Sequence, residues 1–77
     1  MNKELLKDIR LFKGMTQEDF AKWLGISRMT IALIESDQRN VSDAVAGKIS
    51  HKFDVTNDDF LEYRKRRANT NNYFFNS

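Results

Sequence analysis

Apolar residues recur along the chain at intervals of three and four positions, and this spacing predicts helices with one buried face. Strands have little support, because alternation of β-branched residues is scarce. The pattern predicts an all-α fold of five helices. Their inward positions are, in chain order, Leu5, Leu6, Ile9 and Phe12; Phe20, Ala21 and Leu24; Ile31 and Ile34; Val45, Ala46, Ile49 and Phe53; and Phe60 and Leu61.

Polar residues and glycines mark where these helices begin and end. Thr16, Ser27 and Ser42 each stand where a side-chain oxygen can cap the following helix. Gly14 and Gly25 end the first two helices. The predicted helices therefore cover residues 2–13, the segment between Thr16 and Gly25, about eight residues after Ser27, a segment from Ser42 to near Phe53, and a segment from 56–59 to near Arg67.

Residues 17–36 satisfy the demands of two helices that cross through a short turn. Ala21 supplies the small residue needed where the two backbones approach, and Gly25 suits the positive φ of the turn. Ser27 restarts a helix at once. Apolar side chains then fill the angle between the helices, namely Phe20, Leu24, Ile26, Ile31 and Ile34. The window predicts a helix-turn-helix formed by the second and third helices.

The segment Met15–Glu35, MTQEDFAKWLGISRMTIALIE, resembles the lambda-repressor-like family of phage Cro and CI regulators and related bacterial repressors. With its flanking helices the resemblance covers roughly residues 3–61. It implies a compact five-helix DNA-binding domain that binds a double-stranded DNA operator, usually as a homodimer. It also implies a transcriptional regulator of phage or mobile-element type, most often a repressor, acting in the cytoplasm at the nucleoid of a bacterial or phage-infected cell.

The resemblance assigns roles to individual residues. Its base-contacting positions in the third helix, the recognition helix, are Arg28, Met29, Thr30, Ala32 and Leu33. Its DNA backbone-contacting positions are Gln17, Ser27, Gln38, Arg39 and Asn40. Arg10 and Glu35 match a buried structural salt bridge that joins the first helix to the recognition helix in several relatives.

The chemistry of the recognition helix is mostly apolar. The forked guanidinium of Arg28 suits O6 and N7 of guanine, whereas Met29 and Leu33 can only pack against thymine methyl groups. A glycine commonly follows Glu35 in the family, but Ser36 and Asp37 stand there in this chain. These features leave a second hypothesis open, in which the helix-turn-helix is a protein-interaction module that modulates another regulator.

Composition limits the other function classes. The chain has 77 residues, no cysteine and one histidine, His51, which excludes disulfides and leaves too few ligands for a structural zinc site. With no catalytic Ser/His/Asp set, metal cluster or glycine-rich phosphate loop, we expect no enzyme activity, cofactor or small-molecule ligand. The longest apolar run, residues 31–34, is too short for a membrane span, and no signal peptide is evident, so we expect a soluble intracellular protein.

Charge and aromatic residues divide the chain into two predicted parts. Residues 1–61 carry nine basic against ten acidic residues, whereas residues 62–77 carry four against one, so the C-terminal segment is basic. We expect a helix-turn-helix domain at 1–68 and a polar and aromatic tail at 69–77 that is flexible or contacts a partner. The candidate dimer or partner contacts are Trp23, Tyr73, Phe74 and Phe75.

Overall fold

A computed structural model describes the backbone of residues 1–76 and the side chains of residues 1–68. The helices are α1 (Lys3–Phe12), α2 (Gln17–Leu24), α3 (Arg28–Glu35), α4 (Asp43–Lys52) and α5 (Asp58–Asn76). Every regular element of the described backbone is a helix, and the all-α prediction is confirmed. Helix α5 extends beyond its predicted end near Arg67, because no glycine or proline follows that could stop it.

Side-chain oxygens cap the N-terminus of every helix. Thr16, Ser27 and Ser42 accept hydrogen bonds from backbone N–H groups of α2, α3 and α4 at 3.1, 3.2 and 3.2 Å. Asn2 and Asn57 do the same for α1 and α5 at 2.8 and 3.0 Å. These bonds satisfy backbone donors that have no partner within a helix, so the polar residues between the apolar stripes fix where each helix starts.

The first three helices end in the same backbone motif. The chain turns through a residue of positive φ, which is Gly14 after α1 (67°), Gly25 after α2 (72°) and Asp37 after α3 (66°). In each case the next N–H donates back to a carbonyl five residues earlier, at 2.9–3.1 Å. Glycine adopts this backbone freely, whereas Asp37 carries a Cβ that disfavours it.

The core lies where the inward faces of all five helices meet. Its fully buried large side chains are Leu6, Ile9, Phe20, Ile31, Ile34, Ile49 and Phe60. The prediction that Leu61 also points inward was wrong, because its side chain is 47% exposed. Successive residues of a helix point about 100° apart, so the burial of Phe60 turns Leu61 towards solvent.

An aromatic cluster joins the ends of α1 and α4 to the start of α5. The ring centroids of Phe12, Phe53 and Phe60 lie 5.0–6.0 Å apart in edge-to-face arrangements. Tyr63 extends the cluster one turn along α5, 5.5 Å from Phe12. Aromatic pairs in this geometry stabilise a core beyond the area they bury, so the cluster fixes the direction in which α5 leaves the domain.

Beyond the aromatic cluster, ion pairs hold α5 against α1. Asp8 on α1 accepts hydrogen bonds from Arg64, at 2.9 Å, and from Arg67. The Asp8 side chain is only 14% exposed. Arg66 also pairs with Glu62 on α5 at 3.4 Å, so three of the four cations in the basic segment form salt bridges within the chain.

Candidate nucleic-acid interface

Helix α3 presents one face to solvent and buries the other. Ile31 and Ile34 are fully buried, whereas Arg28 and Met29 at its first turn are exposed. Ala32 and Leu33 are half-buried and follow them along the same outward side. The outward side therefore offers one guanidinium among apolar groups.

Hydroxyl groups at the start of α3 are engaged with each other. The Ser27 hydroxyl caps the helix by accepting from the backbone N–H of Thr30, and the two side-chain oxygens lie 2.9 Å apart. Thr30 is half-buried and lies on a different side of the helix from Ala32. The structure thus brings Arg28, Met29, Ala32 and Leu33 together on one side and places Thr30 beside Ser27.

A network of buried charge anchors the end of α3 to α1. Arg10 donates two hydrogen bonds to the Glu35 carboxylate, at 2.7 and 2.8 Å, and a third to the Met15 carbonyl at 3.0 Å. The two side chains are only 12% and 6% exposed. Two parallel bonds fix both the distance and the orientation of the groups, so α3 cannot slide or rotate against α1 without breaking them.

Gln17 adds a link from α2 to the same carboxylate. Its side-chain amide donates to Glu35 across 3.4 Å, a long hydrogen bond in a half-buried setting. The first turn of α2 and the last turn of α3 are therefore joined through one acidic side chain. The hydrogen bond from Arg10 to the Met15 carbonyl was not predictable from sequence, since a backbone acceptor has no residue signature.

The loop after α3 displays polar side chains at the surface. Gln38 donates to the Ser36 hydroxyl at 2.9 Å, and that hydroxyl donates to the Leu33 carbonyl at 3.2 Å. Arg39 and Asn40 are exposed and line a shallow groove beside the start of α1. The loop therefore has one cation available for an anionic ligand.

Acidic residues flank this cation. Asp37 is 76% exposed and lies 3.5 Å from the ammonium of Lys3, and Asp43 is exposed at the first turn of α4. The surface around the end of α3 therefore carries both signs of charge. Binding of a phosphate backbone here depends on the placement of individual cations rather than on a uniformly positive surface.

Trp23 packs within the chain. Its half-buried ring lies 5.7 Å from the Phe20 ring, and the ammonium groups of Lys13 and Lys52 lie 4.7 and 5.5 Å from its centroid. Cations over an indole ring are attracted by its electron-rich face. The other predicted partner contacts, Tyr73, Phe74 and Phe75, lie outside the described side chains.

The described part of the chain has no metal-binding cluster and no membrane-spanning helix. It holds no group of three or more His, Cys, Asp or Glu residues that could bind a metal ion. His51 is exposed at the end of α4. None of its helices combines the length and the apolar character that crossing a membrane requires.

Comparison with known proteins decides the family. A family model described as helix-turn-helix matches residues 6–60, which is most of the chain and includes most of α1 and all of α2–α4. The chain belongs to this helix-turn-helix family. The match confirms the resemblance to Cro- and CI-type proteins that the segment Met15–Glu35 indicates.

Two archaeal proteins are similar to this helix-turn-helix protein. An uncharacterized HTH-type transcriptional regulator of Methanocaldococcus jannaschii is 43% identical over 61 residues, covering 79% of this chain and 92% of the relative. An uncharacterized HTH-type transcriptional regulator of Archaeoglobus fulgidus is 37% identical over 56 residues, covering 73% and 80% respectively. No solved structure gives a significant match to the chain.

Proposed function

We propose that this helix-turn-helix protein is a sequence-specific DNA-binding transcriptional regulator, and specifically a repressor. In this proposal α3 enters the major groove of a double-stranded operator, and Arg28 reads a guanine. A homodimer binds two half-sites about 34 Å apart, one helical turn of DNA. Membership of the helix-turn-helix family and the names of the two archaeal relatives support the regulatory role.

The observation that carries the proposal is the way α3 is presented. Its outward side holds Arg28 free of intrachain salt bridges among the described residues, while the Arg10–Glu35 pair fixes its other end. A helix fixed in this way presents the guanidinium at its first turn to base edges without rearrangement of the backbone that carries it. The entropy cost of reading the base is therefore limited to ordering the Arg28 side chain.

Gln17, Ser27, Gln38, Arg39 and Asn40 complete the proposed interface as contacts to the DNA backbone. Such contacts set the register of the protein on the duplex without reading sequence. Thr30 completes the set of proposed base contacts with Met29, Ala32 and Leu33. We propose that the apolar members pack against thymine methyl groups, so the half-site combines guanine with thymine-rich steps.

Affinity for a selected operator tests the proposal. Arg28→Ala removes one bidentate base contact from each half-site and is expected to weaken binding by about 5- to 150-fold per half-site, which corresponds to about 1–3 kcal/mol for each contact. Arg66→Ala is the matched control, because Arg66 is 77% exposed on α5 and its loss changes the net charge equally. The measurement is fluorescence anisotropy at fixed salt with a labelled operator duplex.

Loss of the proposed contacts to the DNA backbone should change affinity in a different way. The double variant Gln17→Ala/Arg39→Ala is expected to weaken specific and non-specific binding alike and to reduce the dependence on salt, because it removes phosphate contacts. The docking geometry would be wrong if neither this variant nor Arg28→Ala lost affinity for a site that the native protein binds. The phage or mobile-element origin and the location at the nucleoid stay predictions.

A protein-interaction role is the second candidate function. Met29 is 65% exposed and shares its side of α3 with Ala32 and Leu33, which gives an apolar surface suited to another protein. Under this alternative, Met29→Glu abolishes a stoichiometric complex with another regulator, and no operator sequence is selected by the native protein. Enrichment of a defined operator favours the DNA-binding role instead.

A further inference from the structure

A groove of about 550 Å³ lies between α1 and α5 and reaches Glu35 at the last turn of α3, but Arg28 does not line it. Its lining residues are Lys3, Glu4, Lys7, Asp8, Glu35, Arg64, Lys65, Arg67 and Ala68. The five cations and three carboxylates give this α1–α5 groove a formal charge of +2. The whole chain also has a net charge of +2, so all the other residues together sum to zero. The excess positive charge of the protein is therefore concentrated here.

Two of the three carboxylates of the groove are already occupied, whereas Glu4 is exposed and forms no salt bridge among residues 1–68. Asp8 accepts from Arg64 and Arg67, and Glu35 is held by Arg10 from outside the groove. By contrast, Lys7 and Lys65 are exposed and form no salt bridge with any other residue of 1–68. Two ammonium groups, one from each wall, therefore face solvent beside a pair of arginines.

The Asp8 contacts show which chemistry the groove accepts. Arginine forks bind carboxylates through directional hydrogen bonds, and clusters of arginine recognise acidic segments of proteins. The aliphatic stems of the lysines and arginines, together with Ala68, add apolar contact area. The groove is open along one side, so it suits a chain that lies across it better than a small molecule that must be enclosed.

We propose that the α1–α5 groove is a docking site for an acidic peptide segment of a partner protein. The partner's carboxylates pair with Lys7 and Lys65, and one more carboxylate shares the arginines with Asp8. The attraction is electrostatic, so it is strong at low salt and weakens as salt is added. This site is independent of the proposed DNA interface, since it does not use Arg28.

Peptide binding to the full chain tests the proposal. The probe is a fluorescein-labelled peptide of about ten residues with alternating Glu and Ala, and the reference probe replaces every Glu by Gln. The Glu peptide is expected to raise anisotropy at low salt and the Gln peptide is not. Lys7→Gln/Lys65→Gln is expected to weaken binding by about 3- to 30-fold, as for the loss of two exposed ion pairs.

A matched double variant separates the groove from general attraction. Lys22→Gln/Lys48→Gln removes the same charge from exposed positions on α2 and α4 and is expected to change affinity by less than about twofold. Equal weakening by the two double variants would overturn the proposal, as would failure of the Glu peptide to bind. Thermal unfolding of each variant shows that the fold is retained.

Duplex DNA is the rival ligand for the same cations. If Lys7→Gln/Lys65→Gln weakened operator binding about tenfold and left peptide binding unchanged, the groove would be a DNA backbone contact and the proposal would be wrong. The Arg28→Ala protein is expected to bind the operator more weakly than the native protein and to bind the Glu peptide with unchanged affinity. Failure of the DNA-binding proposal and failure of this one therefore give different results.

Discussion

Asp37 is the residue whose backbone is least suited to its side chain. It is the one non-glycine residue of positive φ within residues 1–76, and the equivalent turns after α1 and α2 use Gly14 and Gly25. Its carboxylate also lies at the C-terminal end of α3, where the helix dipole disfavours negative charge. The partly exposed ion pair between Asp37 and Lys3 offsets little of this cost in stability.

Asp37→Gly is therefore expected to stabilise the domain. Relief of the left-handed backbone and loss of the charge outweigh the greater freedom of glycine in the unfolded chain, leaving a gain of about 0.5–1 kcal/mol. For a domain of this size the melting temperature should rise by roughly 2–8 °C in calorimetry. Asp37→Asn keeps some tolerance of the left-handed region and loses the charge. Its melting temperature should therefore lie between those of the native protein and Asp37→Gly.

Asp43→Gly is the matched control for this substitution. Asp43 is an exposed aspartate in the first turn of α4, where its charge favours the helix and glycine loses that charge and is the poorer helix former. The melting temperature of the Asp43→Gly protein should therefore be lower than that of the native protein. An unchanged or lower melting temperature for Asp37→Gly would show that the turn after α3 is not strained.

At the scale of elements, a single carboxylate ties α3 to its neighbours in addition to the buried contacts of Ile31 and Ile34. The Glu35 carboxylate accepts hydrogen bonds from Arg10 on α1 and Gln17 on α2, so it connects α3 to both helices that precede it. The pair is almost inaccessible to water, and removing one partner leaves the other charge buried. We expect Glu35→Gln to lower the free energy of unfolding by about 3 kcal/mol or more, as measured in urea.

A double variant distinguishes a coupled pair from two independent residues. Arg10→Met/Glu35→Leu should cost less than the sum of its single substitutions, because neither charge is then left unpaired. Glu18→Gln, in the exposed pair between Glu18 and Lys22, should cost less than about 0.5 kcal/mol. Additive costs for the double variant would contradict the coupling.

Helix starts were predictable from sequence, whereas helix contacts were predictable only in part. Thr16, Ser27 and Ser42 carry their capping chemistry within three residues of the backbone they bind, so local sequence suffices. The choice between Phe60 and Leu61 required the aromatic rings of distant helices, which no local pattern encodes. Both lie next to each other in an apolar pair, and only the larger is buried.

The site shows the same division. The spacing of the helix-turn-helix residues predicted which side of α3 faces out, because Ile31 and Ile34 define the opposite side. The engagement of the Thr30 hydroxyl with Ser27 follows from the cap geometry and was not anticipated. The pairing of Asp8 with α5 spans more than fifty positions of sequence, as its separation from Arg64 shows, and it was missed for that reason.

At the scale of the whole molecule, the charged residues with proposed binding roles lie on two surfaces. The outward side of α3 carries the proposed base-reading arginine on a nearly neutral domain, and the α1–α5 groove carries the excess positive charge. An acidic partner and a DNA duplex could thus occupy different surfaces. The central claim concerns the first surface, namely that Arg28 reads a base.

Selection of bound sites from a random duplex library, with native protein and with Arg28→Ala, tests this claim most directly. The native protein should enrich a two-fold motif whose half-sites contain one invariant guanine, about 34 Å from its symmetry mate. The Arg28→Ala protein should enrich the same motif with that one position relaxed. Failure of the native protein to enrich any motif, or an unchanged preference at every position in Arg28→Ala, would contradict the account.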